Sequence, residues 1–342
     1  MTRSTTTPLR ASGAAAALAT ALILTACGDD DLAGEFSMTG ALAEIPADAS
    51  PDGGLVMAAD LRAACEANGC DWPEDADDDP AVGEWLGTMS GIPQPGVPTP
   101  PPVVVALPGI IGSQSSLPAE LADQLGFSAL DVDTFAAVEA APQSFTVVTG
   151  EGIADLLSDD LVETGDGIVS TSDADDLATD MDNSSPADPL GRAVHLAGDG
   201  DRIAVSLQTP LVEAWIDGPE ATLADDESLA SIAHALDDAG VVSAVLDTSG
   251  TRPVGVGWAV DDDQGSVGTI AFAYGSESEA ESAVDELETL FTEGTDEFGR
   301  PLAERYALEG VATDGSVAVV TVGLEVPTVL LRDLTSRQTP FD

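Results

Sequence analysis

Apolar residues in this chain come in short runs closed off by Asp and Gly, and that rhythm leaves few folds open. RAVHLAGDGDRIAVSLQ (192–208) sets two apolar runs around GDGD, and EGVATDGSVAVVTVG (309–323) sets two around Asp314-Gly315. VGVGWAV (254–260) and SVGTIAFAY (266–274) flank the acidic turn DDDQG. Runs this short, joined by residues that tolerate turn conformations, read as antiparallel hairpins. LVMAAD (55–60), VVVAL (103–107), SFTVVTG (144–150) and VVSAVL (241–246) add further strand candidates.

Helical spacing appears between these runs. Asp60 can cap LRAACEANG, and Pro118 opens a segment in which Leu121 and Leu125 share a face before Gly126. Asp225 or Asp226 can cap a helix striped by Leu229, Ile232, Ala233 and Leu236, with Gly240 at its end. SESEAESAVDELETLF (276–291) opens with Ser276 and Glu279 as a capping box. The pattern predicts an α+β fold of antiparallel sheets with helices packed on one face. Residues 254–323 read β-β-α-β-β and 145–208 read β-α-β-β, as two related modules. No strand-crossover rhythm supports a doubly wound parallel sheet.

The expected division runs as follows. Residues 27–52 mix acids, Gly and Pro and read as a flexible tether; 53–92 form a small α/β segment. PQPGVPTPPP, ending at residue 102, is a linker or long loop, since proline withholds the donor that a regular element needs. Modules at 103–250 and 251–330 and a tail at 331–342 complete the chain.

Charge narrows the partners. The chain has 62 acidic residues against ten basic ones, all of them arginine, for a net charge of −52. Such a field repels nucleic acid and anionic headgroups and favours cations, while keeping the surface hydrated. Without lysine there is no phosphate loop of the GxxxxGK type and no Schiff-base chemistry. HExxH and GxSxG are absent too.

The N-terminus has its own grammar. Arg3 and Arg10 precede residues 11–26, which carry no ionisable side chain. This is a positive segment followed by an apolar one shorter than the roughly 20 residues of a spanning helix. It ends in Leu24-Thr25-Ala26-Cys27, which resembles the lipobox of bacterial lipoproteins. That resemblance implies a signal peptide at 1–26, acylation of the Cys27 thiol, and a mature chain beginning there. Membrane contact would then run through Cys27, on the extracytoplasmic face of the cell membrane.

The remaining cysteines, Cys65 and Cys70, sit five apart in an exported chain and are expected to pair. Asp75, Asp77, Asp79, Asp180 and Asp182 alternate as calcium loops do, but Pro80 stands where the loop glycine belongs and no closing acid follows. They are weak metal candidates. His195 lies in an apparent strand, and His234 near the polar edge of a helix; neither reads as catalytic. Paired carboxylates of a hydrolase are the alternative chemistry, and a transporter's solute-binding lipoprotein the alternative binding role. The expectation is a non-enzymatic binding, sensing or structural protein of the envelope, with no cofactor and with cations or an envelope component as partner.

Overall fold

The computed structural model describes residues 36–76, 78–92, 100–112, 118–165, 167–260 and 265–341. Its strands are β1 (Leu55–Asp60), β2 (Thr134–Ala140), β3 (Gln143–Thr149), β4 (Val162–Gly165), β5 (Ile168–Ser170), β6 (His195–Asp199), β7 (Arg202–Ser206), β8 (Ser243–Asp247), β9 (Val254–Val260), β10 (Ser266–Ala273), β11 (Ala307–Asp314) and β12 (Val317–Gly323). They form one antiparallel sheet in the order β11-β12-β10-β9-β8-β1-β2-β3-β7-β6-β5-β4. The α+β class is therefore as the hairpin rhythm predicted.

The order contains a repeat. β1-β2-β3-β7-β6 and β8-β9-β10-β12-β11 are the same five-strand path, and they meet where β1 and β8 pair antiparallel. One register row crosses both halves: Leu196, Val205, Thr146, Ala137 and Met57, then Val245, Val256, Ile270, Val320 and Val311. An axis normal to the sheet through the Met57–Val245 pair interchanges the two strand orders. The halves thus share one uninterrupted ladder, and the boundary expected at residue 250 falls inside it, between β8 and β9. The first half begins at β1 and the second at β8.

The helices are α1 (Met38–Ala43), α2 (Leu61–Asn68), α3 (Asp79–Met89), α4 (Gly109–Gly112), α5 (Pro118–Leu125), α6 (Thr209–Asp217), α7 (Glu227–Asp238), α8 (Glu277–Glu293) and α9 (Thr328–Thr335). They cover both faces of the sheet rather than one. On one face α2, α3, α5, α8 and α9 bury Leu61, Trp85, Leu121, Phe291 and Leu330 against Met57, Val245 and Trp258. On the other, α1, α6 and α7 bury Leu42, Trp215 and Ile232 against Val56, Ala58 and Leu246. Strand side chains alternate between the two cores, as a pleated sheet buried on both sides requires. The glycines of β9 serve this packing: a Cβ at Gly255 would lie 2.4 Å from Ile232 of α7.

Several expected caps are present. Asp60 accepts from Ala63 N–H at 2.8 Å, Asp226 caps α7, and Ser276 accepts from Glu279 N–H. The Glu279 carboxylate reaches Gly275 N–H instead of closing the box on Ser276.

Three expectations need correction. Residues 36–52 are part of the body: Met38, Ala41, Leu42 and Ile45 are completely buried. The expected tail at 331–342 is part of it too through residue 341, with Leu334 buried in α9 and Phe341 stacked on Phe272. VVVAL buries Val103, Val104 and Val105 but joins no ladder. The Asn68 side chain bonds both N–H and C=O of Val103, Ser243 Oγ donates to Val104 C=O, and Val105 N–H donates to Met89 C=O. Side chains and a helix end satisfy the backbone that a neighbouring strand would otherwise serve.

Candidate binding cleft

The two halves differ most between their first and second strands. Six residues, 248–253, join β8 to β9, whereas 61–133 separate β1 from β2 and carry α2 to α5. This insertion builds a cleft of about 840 Å³ where it meets Gly265, Ser266, Leu324, Glu325 and Pro327 of the second half.

Helix α2 ends at Gly69, whose φ of 61° is the left-handed turn that suits glycine. The expected Cys65–Cys70 disulfide is present, with Cα atoms 5.2 Å apart, and fixes the exit from the helix. The chain then places Trp72 against Trp85 of α3, ring centroids 4.7 Å apart and tilted by 58°. Asp78 caps α3, and the stripe Val82, Trp85, Leu86 and Met89 is buried. Trp85 also lines the cleft, though its ring is almost wholly buried and its Nε1–H, inside the core, has no acceptor. The Arg62 guanidinium, paired with Asp133, lies 4.4 Å from the Trp72 ring centroid.

The opposite wall is Pro100–Pro102, held by Ser266 Oγ donating to Pro102 C=O at 2.5 Å. Four exposed carboxylates stand around the cleft, Glu66, Asp71, Glu84 and Glu325, with no arginine or histidine among the lining residues. An apolar floor of indoles and prolines under an acid-rich rim is suited to an organic cation. The ring faces attract positive charge through their quadrupole, and the carboxylates add the Coulomb term.

Compared with known proteins, this chain matches no family description, no curated protein and no solved structure.

A second, smaller cleft of about 310 Å³ lies beside Glu139, Asp188 and Arg192. Burial pushes the Glu139 carboxyl above its ordinary range, opposed by Gly109 N–H at 3.5 Å and by the charge of Arg192. Asp188 is occupied: Oδ2 accepts from Arg192 Nε and Nη2 at 2.9 and 2.7 Å, and Oδ1 from Leu190 N–H at 2.8 Å. The cleft therefore offers one protonatable acid and one spent carboxylate, not a matched acid and base.

A stability prediction follows from Glu139. A raised carboxyl favours folding below its unfolded value of about 4.5, and loses that contribution as pH rises through the folded value. Glu139→Gln should thus unfold at a higher temperature than the parent chain at pH 7, with the gap closing below pH 4.5. Melting curves across that range check it, and a gap that does not vary with pH would count against it.

The other sequence candidates are scattered. Cys27 and Asp77 lie outside the described residues. Asp79 sits in the first turn of α3 and Asp75 precedes it, both exposed. Asp180 accepts from Asp182 N–H and Asn183 Nδ2, so it closes its own turn. His195 is buried in β6 with Nε2 3.0 Å from Asp176 Oδ1, while Asp176 accepts from Thr209 N–H and Oγ1 at the start of α6. Burial lowers the His195 pKa, and Asp176 counteracts it. That arrangement pins a loop to a helix end.

Sequence reasoning passed over the tryptophan pair and Glu139. Trp72 and Trp85 meet only through the packing of α2 on α3, and no spacing rule announces that. Glu139 belongs to β2, whose TFAAVEA is apolar on both faces and lacks alternation. The one signal available was position: an aromatic residue just beyond a disulfide loop is held in place.

Proposed function

We propose that this chain is a lipid-anchored, extracytoplasmic protein of the bacterial envelope that binds an organic ammonium compound in the Trp72–Trp85 cleft and performs no chemistry on it. The observation that carries the binding reading is the cleft itself: two indoles in contact, a proline wall, and an acid-rich rim. The lipobox resemblance at Leu24–Cys27 supports the anchored location. The reading needs no cofactor.

Choline joins an ammonium head to a hydroxyl and is the probe of choice. Calorimetric titration of the full chain at 0.15 M salt should give saturable binding, weakened about tenfold by Trp72→Ala. Loss of one cation–π contact of about 1–2 kcal/mol corresponds to that factor. Cys27→Ser should leave the binding unchanged while moving the chain from the detergent phase to the aqueous phase. Equal affinity in Trp72→Ala would refute the cleft, and unchanged detergent partitioning in Cys27→Ser would refute the anchor.

A further inference from the structure

Helix α7 carries His234 and, one turn later, Asp238 on the same exposed face, as the i,i+4 spacing dictates. Asp314, the last residue of β11, comes to the same place. One ligand atom from each of the three lies within 4.8 Å of the other two. Among the described residues this is where three potential metal-ligating side chains converge.

The spacing is informative. His234 Nδ1 and Asp238 Oδ1 are 3.9 Å apart, beyond a hydrogen bond. Two donors about 2.1 Å from a common ion lie roughly 3.0–3.4 Å apart in octahedral or tetrahedral geometry. All three side chains are exposed, so their rotamers can adjust to narrow that spacing.

The donor set selects the ion. One imidazole and two carboxylates suit a borderline dication such as zinc, nickel, cobalt or copper, whereas calcium and magnesium prefer oxygen alone. The imidazole also separates this cluster from the many acidic loops, since the chain's other histidine, His195, is buried in β6. We propose that His234, Asp238 and Asp314 form a surface site for a first-row transition-metal dication, with water completing the coordination. An ion there would tie α7, which leads into the second half of the sheet, to the hairpin that ends it.

Zinc is the probe for affinity and copper for ligand identity, each added to the full chain in millimolar calcium to occupy diffuse acidic sites. Zinc titration should show one tight site per chain, with affinity at least tenfold lower in His234→Ala and in Asp314→Asn. Both substitutions are at exposed positions, so the fold is expected to persist, and far-UV circular dichroism of each variant checks this. The copper spectrum should carry the coupling of a single nitrogen, absent from His234→Ala. Unchanged zinc affinity in either variant, or a nitrogen signal that survives His234→Ala, overturns the site and leaves only non-specific binding by an acidic surface.

Discussion

Asp333→Ala should destabilise the protein by about 3–5 kcal/mol, the cost of removing one partner from a buried ionic network. Asp333 of α9 is completely buried. Its Oδ2 accepts from Arg305 Nη1 at 2.6 Å and from Tyr306 OH at 2.8 Å, and its Oδ1 from Arg332 Nε and Nη2 at 2.9 and 2.8 Å. Arg305 depends on it most. The guanidinium is largely buried, its Nε and Nη2 have no hydrogen-bond acceptor, and its other anion, Asp296, stands 3.5 Å away.

Alanine would strand that cation and the Tyr306 hydroxyl together. Denaturant unfolding measures the loss, and a change under 1 kcal/mol would mean that water replaces the carboxylate freely. Asp333→Asn separates charge from shape. Burial first, and then the Asp333 carboxylate, hold the Tyr306 hydroxyl far above its ordinary pKa of 10. The amide should therefore bring tyrosine ionisation to a lower pH, as ultraviolet absorbance at 295 nm would show, while leaving most packing in place.

The same network marks where sequence reading ran out. Asp333 lies in a stretch read as a tail, and nothing in TVLLRDLTSR distinguishes a fully buried aspartate from a solvated one. Arg305 and Tyr306 are 28 and 27 residues away. Local grammar fared better. Asp314-Gly315 and GDGD made their turns, with Gly315 and Gly200 at positive φ, and β9-β10-α8-β11-β12 appears as read. These features rest on residues close in sequence, where turn and cap chemistry decides.

What failed was inference from composition. VVVAL reported burial truthfully but not pairing, because apolar content answers only the first question. β2 is buried on both faces and so lost the alternation by which strands are recognised. The cleft combines both difficulties. Trp72 and Trp85 were readable as aromatics, yet their meeting depends on how α2 and α3 pack on the sheet. The anionic rim is invisible until Glu325, from the second half, is placed across from Glu66 and Glu84.

The N-terminal segment offers the sharpest contrast between the two kinds of evidence, and Leu42→Ala should decide it, costing about 2–5 kcal/mol as buried leucine truncations do. Its composition reads as a tether, yet Leu42 is fully buried with Met38, Ala41 and Ile45 in the core beneath α7. Polar contacts fix the same segment. Asp237 of α7 accepts from Met38 N–H at 2.5 Å and from Thr39 N–H and Oγ1 at 3.1 and 2.6 Å, capping α1 from outside its own sequence. Glu44 accepts from Arg202 Nη1 at 2.9 Å and from Trp215 Nε1 at 3.1 Å. A leucine in a tether would be replaced at no cost, so a loss below about 0.5 kcal/mol would return residues 36–52 to the role their composition suggests. With the loss as expected, the folded body begins by residue 36.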